Sequence, residues 1–149
     1  MNKFTLSALS FAIVLGLAAC QPETPSEVQE DVAEARADAN EDIRDEQRDA
    51  NEVAADANAD VADAMADGDM GDVNDAQANA VEDTAEARYD VAMAKAEGDM
   101  KIAKERCDGL AGADKDACNA QADADYEAAK AAAKSDLDAA EANADAIDG

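Results

Sequence analysis

The chain of 149 residues carries 37 Asp and Glu against 12 Lys and Arg and has no His, which gives a formal charge of -25. Binding nucleic acid requires Lys and Arg to neutralise phosphates, so this charge excludes nucleic acid as a partner. The hydrophobic residues are mostly Ala, 41 in all, and only twelve Val, Ile or Leu follow residue 20. Burying twelve such side chains contributes roughly 25 kcal/mol, whereas ordering the chain costs about 1.5 kcal/mol per residue. A globule with a sizeable core is therefore excluded, while the Ala content favours helix.

The first residues of the chain predict a targeting segment followed by a short tether. Lys3 precedes an apolar stretch, residues 4–19, that only Thr and Ser interrupt. This stretch is shorter than the roughly 20 residues that a membrane-spanning helix needs, so residues 1–19 predict a cleaved secretory signal. Residues 20–25 contain two prolines, which disfavour helix, and predict a partly disordered tether.

The signal ends in Leu17-Ala18-Ala19-Cys20, which resembles the lipobox of bacterial lipoproteins. The resemblance implies that the Cys20 thiol accepts a diacylglycerol, that cleavage occurs before Cys20, and that the new amino group is acylated. Two or three acyl chains anchor a protein stably, so the membrane is an expected partner. In the sorting rule of enteric lipoproteins, Asp at the second mature position retains a protein at the inner membrane. Gln21 at this position implies the outer membrane, with the body in the periplasm; an ordinary cleaved signal before Cys20 is the alternative.

Residues 26–67 predict one long acidic helix. Ser26 and Gln29 match a capping box, and no Gly or Pro follows until residue 68. The predicted helix carries 15 acids and three Arg, and like charges four residues apart oppose close packing. A thin apolar stripe repeats every eleven residues, which is 3.67 residues per turn and favours a nearly straight helix. The stripe consists of Val32, Ile43, Ala54 and Met65.

The remaining chain, residues 72–149, predicts a helical hairpin region. A run of Asp and Gly over residues 67–72 ends the first helix. The next helix is expected over residues 72–106, and the last from an N-cap at Asp114 to near Ile147. We expect an all-α protein of elongated Ala-rich acidic helices, two or three in series. Their contacts are expected to be strongest near the Gly-containing turn between the last two helices.

Cys107 and Cys118 lie on either side of this turn. An oxidising periplasm favours their pairing, and the turn can bring them together, whereas in a continuous helix they would lie about 16 Å apart. A disulfide here would contribute roughly 3 kcal/mol in the loop-entropy model. A redox-active or metal-binding pair is the alternative, but it calls for C-x-x-C spacing or additional ligands. Residues 101–134 also resemble Cys-paired, Ala-rich segments of uncharacterised proteobacterial envelope proteins, which implies a disulfide-linked hairpin and no known activity.

A group of oxygen-bearing side chains around the first turn is a weak candidate for calcium. It resembles a calcium-binding loop only loosely, because the sixth position is an Asp instead of Gly and no Glu stands at the twelfth. The same residues would serve as helix caps, and diffuse association of divalent cations with the whole acidic surface is a further alternative. The candidate residues are Asp67, Asp69, Asp72, Asn74 and Asp75.

These observations predict a non-catalytic structural spacer or interaction protein of the cell envelope. No His, nucleophilic Ser motif or phosphate-binding loop occurs, so we expect no enzyme activity and no cofactor besides the lipid on Cys20. The chain broadly resembles the murein lipoproteins, but it ends in Asp148-Gly149 and lacks their C-terminal Lys, so covalent murein linkage is not expected. The alternative is an acidic periplasmic module that folds on divalent cations or on an unidentified envelope protein.

Overall fold

A computed structural model of the chain describes residues 22–149, and this part contains three α-helices and no strand. The helices are α1 (Pro25–Asp67), α2 (Met70–Asp108) and α3 (Ala113–Asp148). The 43 residues of α1 span about 65 Å at 1.5 Å per residue. The prediction of an all-α protein with long helices in series is confirmed for the described residues. The signal segment and Cys20 lie outside them.

The start of α1 differs from the prediction, because Thr24 is the N-cap instead of Ser26. The Thr24 hydroxyl accepts a hydrogen bond from the Glu27 amide at 3.4 Å, and the Glu27 carboxylate accepts one from the Thr24 amide at 2.9 Å. Pro25 occupies the first helical position, where its missing N–H costs no hydrogen bond and its fixed φ suits a helix. The tether therefore ends before residue 25, and Pro25 starts the helix that it was expected to prevent.

The turn between α1 and α2 reverses the chain in two residues. Gly68 adopts a left-handed conformation with φ 81°, which an L side chain rarely adopts, and its amide donates to the Ala64 carbonyl. Asp69 caps α2 by accepting a hydrogen bond from the Gly71 amide at 2.8 Å. The predicted break is confirmed, but α2 begins at Met70, two residues earlier than expected.

The turn between α2 and α3 also follows the prediction, except at its cap. The N-cap of α3 is Gly112, with φ 57° and no side-chain hydrogen bond, so the N-cap expected at Asp114 is wrong. Asp114 lies in the first turn of α3, where a carboxylate favours the positive end of the helix dipole. Across the turn, Lys115 forms an ion pair with Asp108 at 2.6 Å.

The three helices form a single layer with α2 in the middle. Among the described elements, α2 packs against both α1 and α3, and α1 and α3 do not pack against each other. Packing continues far beyond the Gly-containing turn, while the expectation that the contacts are strongest near that turn stays a prediction. Buried Ala residues of α3 run from one end of the helix to the other: Ala122, Ala133 and Ala144.

Eleven-residue spacing relates the buried residues of α3 and half of those of α2. The three buried residues of α3 are eleven apart, and α2 repeats the spacing in Ala85, Ala96 and Cys107. Small side chains at this spacing let nearly straight helices approach closely over their whole length. The stripe of α1 follows the rule less well, since Val32 is buried but Met65 is 57% exposed. A position repeated every eleven residues turns by about 20° per repeat in an ideal helix, which moves Met65 away from the packed direction.

Candidate functional site

The disulfide between Cys107 and Cys118 joins the end of α2 to the start of α3, with the two Cα atoms 5.6 Å apart. Cys107 is fully buried and is the last member of the eleven-residue series of α2. The predicted pairing is confirmed. Within residues 22–149 no group of three or more potential ligands is placed to hold a metal.

The chain enters the layer beside this disulfide. The Glu23 amide donates a hydrogen bond to the Asp108 carbonyl at 3.0 Å, which ties the segment before α1 to the end of α2. A Cβ on Gly109 would lie 3.2 Å from Cγ2 of Val28, so the α2–α3 turn also contacts the first turns of α1. Cys20 precedes Glu23 by three residues in the sequence. The N-terminal segment, the disulfide and the α2–α3 turn share one end of the layer, called the proximal end below.

Two carboxyls at the proximal end differ in their surroundings. Burial raises the pKa of the Glu23 carboxyl, and the nearby Asp31 and Asp108 carboxylates raise it further. The Glu23 Oε2 atom is buried and makes no hydrogen bond within the described part of the chain. Hydrogen bonds from Thr24 lower the pKa of the Glu27 carboxyl, because they stabilise its ionised form.

The opposite end, called the distal end, contains the weak calcium candidates. Asp69 serves as a helix cap, and no group of three or more ligands suited to a metal is gathered among residues 22–149. Asp75 instead contacts Asp148, the last residue of α3. The hydrogen bond and the repulsion between these two carboxyls raise the pKa of Asp75. Sequence reasoning missed this pair, because residues 73 positions apart meet only through the fold.

The two faces of the distal half differ in charge. One face, called the front face, carries a groove of about 860 Å³ between all three helices. No Asp or Glu lines this groove, and Arg88 is its one charged lining residue. The opposite face, called the rear face, has two smaller hollows that carboxylates line, namely those of Asp60, Asp72, Asp75, Glu82, Asp83, Asp145 and Asp148.

No protein-family model, curated protein or solved structure matches the chain. Within residues 22–149, no helix has an apolar stretch of sufficient length to cross a membrane.

Proposed function

We propose that this protein is a lipid-anchored, non-catalytic spacer of the bacterial envelope. Cys20 carries the diacylglycerol and the N-acyl chain, the outer membrane holds them, and the helical layer extends into the periplasm. The lipobox residues Leu17-Ala18-Ala19-Cys20 support the anchor.

The observation that carries the proposal is that the chain enters the layer at one end. Because Glu23 is bonded to the end of α2, a lipid on Cys20, three residues earlier in the sequence, would attach the chain near the disulfide at the proximal end. The distal end lies about 65 Å away, the length of the 43-residue helix α1. An anchor at one end of a long layer holds the other end at a distance from the membrane.

The ion pairs between the helices and the exposure of the charged residues are consistent with a structural role. Exposed ion pairs contribute at most about 1 kcal/mol each. Among the described residues, three such pairs join neighbouring helices: Lys101 with Asp42, Lys104 with Asp123, and Lys115 with Asp108. Within residues 22–149 no charged residue is buried as a whole, although part of the Glu23 carboxyl is. The two carboxyls with raised pKa, Glu23 and Asp75, lie at opposite ends of the layer and do not form one acid–base pair, so a non-catalytic role fits this chain better than an enzyme does.

The experiment that tests the anchor is labelling with radioactive palmitate in a Gram-negative host. The chain is expected to take up label, and Cys20→Ser is expected to abolish uptake because the thiol that accepts the lipid is gone. A Cys107→Ala/Cys118→Ala double variant is the matched control, since it removes the other two thiols and should keep the label. Retention of label by Cys20→Ser would contradict the proposal.

Membrane sorting is tested by a single substitution at the second mature position. Separating inner and outer membranes on a density gradient should place the unchanged chain in the outer membrane. Gln21→Asp should move it to the inner membrane, because that residue is the retention signal in enteric lipoproteins. Equal distribution of the two chains would refute the outer-membrane assignment while leaving the lipid anchor untouched.

A further inference from the structure

Glu23 lies where the chain enters the layer, and its carboxyl is placed in an unusual way. Among residues 22–149, it alone has a buried side-chain oxygen without a hydrogen bond, the Oε2 atom. Buried polar atoms are nearly always hydrogen-bonded, so an exception calls for a physical explanation. The same residue donates its amide hydrogen to the Asp108 carbonyl at 3.0 Å, which ties the segment before α1 to the end of α2.

The surroundings of the Glu23 carboxyl are mostly negative. Asp31 faces it from α1, and Glu105 and Asp108 face it from α2. The Glu23 backbone also lies at the C-terminal end of α2, where helix carbonyls carry partial negative charge. On the α3 side, Lys115 pairs with Asp108 at 2.6 Å and offsets part of this charge. An ionised Glu23 therefore adds a further negative charge beside the carboxylates of two helices.

A proton changes the contact between Glu23 and Asp31. A hydrogen bond between the two carboxyls requires a proton on one of them, because ionised carboxylates only accept hydrogen bonds. When one carboxyl takes that proton from water, it donates to the other, and the repulsion between them is relieved. When both are ionised, neither donates and their charges repel. The Glu23 amide is then held to α2 against this repulsion by its one hydrogen bond to Asp108.

We propose that Glu23 is a pH-dependent latch, which holds the segment before α1 against the end of α2 in acid and releases it when the carboxyl ionises. The structure shows the closed form, with the amide of Glu23 bonded to Asp108. On release, the Glu23 side chain moves into water, away from Asp31 and Glu105, and the amide exchanges its partner for water.

The direction of the pH dependence follows from the linkage between protonation and folding. Burial and the neighbouring carboxylates raise the pKa of Glu23. The folded state therefore holds this proton more tightly than the unfolded chain does. The contribution of the latch to stability is complete at low pH and is lost as pH rises through the raised pKa.

The latch itself depends only on described residues, so it does not require the lipid anchor. One consequence rests on the proposed function. With a lipid on Cys20, three residues before Glu23, the latch would control how firmly the layer is held at the point where the chain leaves the membrane. Acid would hold the layer in one orientation relative to its anchor, and neutral pH would release it.

The test is the rate at which the Glu23 amide exchanges its hydrogen with water, divided by the intrinsic rate for that sequence and pH. NMR measures it between about pH 4 and pH 8, a range that runs from the ordinary pKa of Glu to above neutrality. The chain from Gln21 onward contains every described residue, and acetylation of its N-terminus avoids a new positive charge two residues from Glu23. The Glu23 amide should lose most of its protection as pH rises. Amides in the middle of the layer, at the buried Ala96 and Ala133, should keep theirs.

Two substitutions separate the latch from other effects of pH. Glu23→Gln keeps the shape of the side chain without its charge, so the amide of residue 23 should stay protected over the whole range. Asp31→Asn removes a neighbouring negative charge and should reduce the loss of protection. Glu30→Gln is the matched control, because it makes the same change as Glu23→Gln at an exposed position of α1 and should leave the pH dependence intact. Circular dichroism checks that each variant is folded.

Three results would overturn the proposal. The first is a protection of the Glu23 amide that does not change with pH. The second is the same pH dependence in Glu23→Gln as in the unchanged chain, since another group would then be titrating. The third is a parallel loss of protection at Ala96 and Ala133, because the pH effect would then be unfolding of the whole layer.

Discussion

Gly98 of α2 lies in close contact with α1, which makes it a sensitive probe of the packed layer. A Cβ added at this position would lie 2.6 Å from the Ala39 Cβ and 3.5 Å from the Ala39 Cα. The first distance is far below van der Waals contact, and a Cβ has no rotamer by which to move aside. The two helices would have to separate locally to admit a methyl group.

The expected effect of Gly98→Ala follows from two opposing contributions. Helix propensity favours Ala over Gly by about 1 kcal/mol in a helix interior, whereas overpacking costs roughly 1–3 kcal/mol. Taking the middle of that range, the substitution should lower the free energy of unfolding by about 1 kcal/mol. For a chain of this size the melting temperature should fall by about 4 °C.

A reciprocal substitution provides the control. Ala39→Gly alone should also destabilise the protein by about 1 kcal/mol, because it places Gly in the interior of α1. In the double variant the new Cβ meets only the backbone of residue 39 at ordinary contact distance. The double variant should therefore be more stable than either single variant, which measures the coupling between the two positions.

Urea unfolding of the chain from Gln21, followed by circular dichroism at 222 nm, measures these free energies. The reasoning is refuted if Gly98→Ala raises the free energy of unfolding by the propensity difference and if the effects of the two substitutions are additive. In that case α1 and α2 do not pack against each other at Gly98 and Ala39.

Three further results are expected from the same unfolding assay. Replacing Cys107 and Cys118 together by Ala should lower the free energy of unfolding by roughly 3 kcal/mol, because the bond no longer restricts the unfolded chain. Thr24→Ala should cost about 1 kcal/mol by removing the cap of α1, whereas Ser26→Ala, at an exposed position that does not cap the helix, should cost little. The raised pKa of Asp75 means that the folded state holds the proton more tightly, so its contribution to stability is present at low pH and is lost as pH rises through the raised pKa. In Asp75→Asn, acidification should therefore raise the melting temperature less than it does in the unchanged chain.

Each of these results has a clear opposite. An unchanged free energy of unfolding after Cys107 and Cys118 are replaced by Ala would mean that the disulfide does not stabilise the hairpin. If Ser26→Ala lowers the free energy of unfolding more than Thr24→Ala does, then Ser26 is the N-cap of α1, as the sequence predicts. If the melting temperatures of Asp75→Asn and of the unchanged chain depend on pH in the same way, then Asp75 does not contact Asp148 at the end of α3.

The helices and turns were predictable because they depend on local chemistry. Long runs of Ala without Gly or Pro favour helix, and the glycines mark both chain reversals. The cap of α1 was missed because two overlapping segments match a capping box, one from Thr24 to Glu27 and one from Ser26 to Gln29. Pro25 decides between them, since a helix accepts Pro most readily at its first position.

The groove and the two faces were not predictable, because they depend on how each helix is rotated in the layer. Ala is abundant on every side of these helices, so composition does not single out the packed side. The eleven-residue spacing of Ala85, Ala96 and Cys107 carries the signal, and Cys107 marks its phase once the disulfide is placed. The contact between Asp75 and Asp148 likewise requires knowing that α3 runs back along α2 for its whole length.

The central claim is that a preformed helical layer, about 65 Å long, holds its distal end away from an anchored end. Small-angle X-ray scattering of the chain from Gln21, with calcium and with a chelator, tests it most directly. A radius of gyration near 20 Å, as expected for a rod of that length, should be found in both solutions. A value near 37 Å, typical of an unfolded chain of this size, that falls only on addition of calcium would contradict the spacer and favour a module that folds on divalent cations.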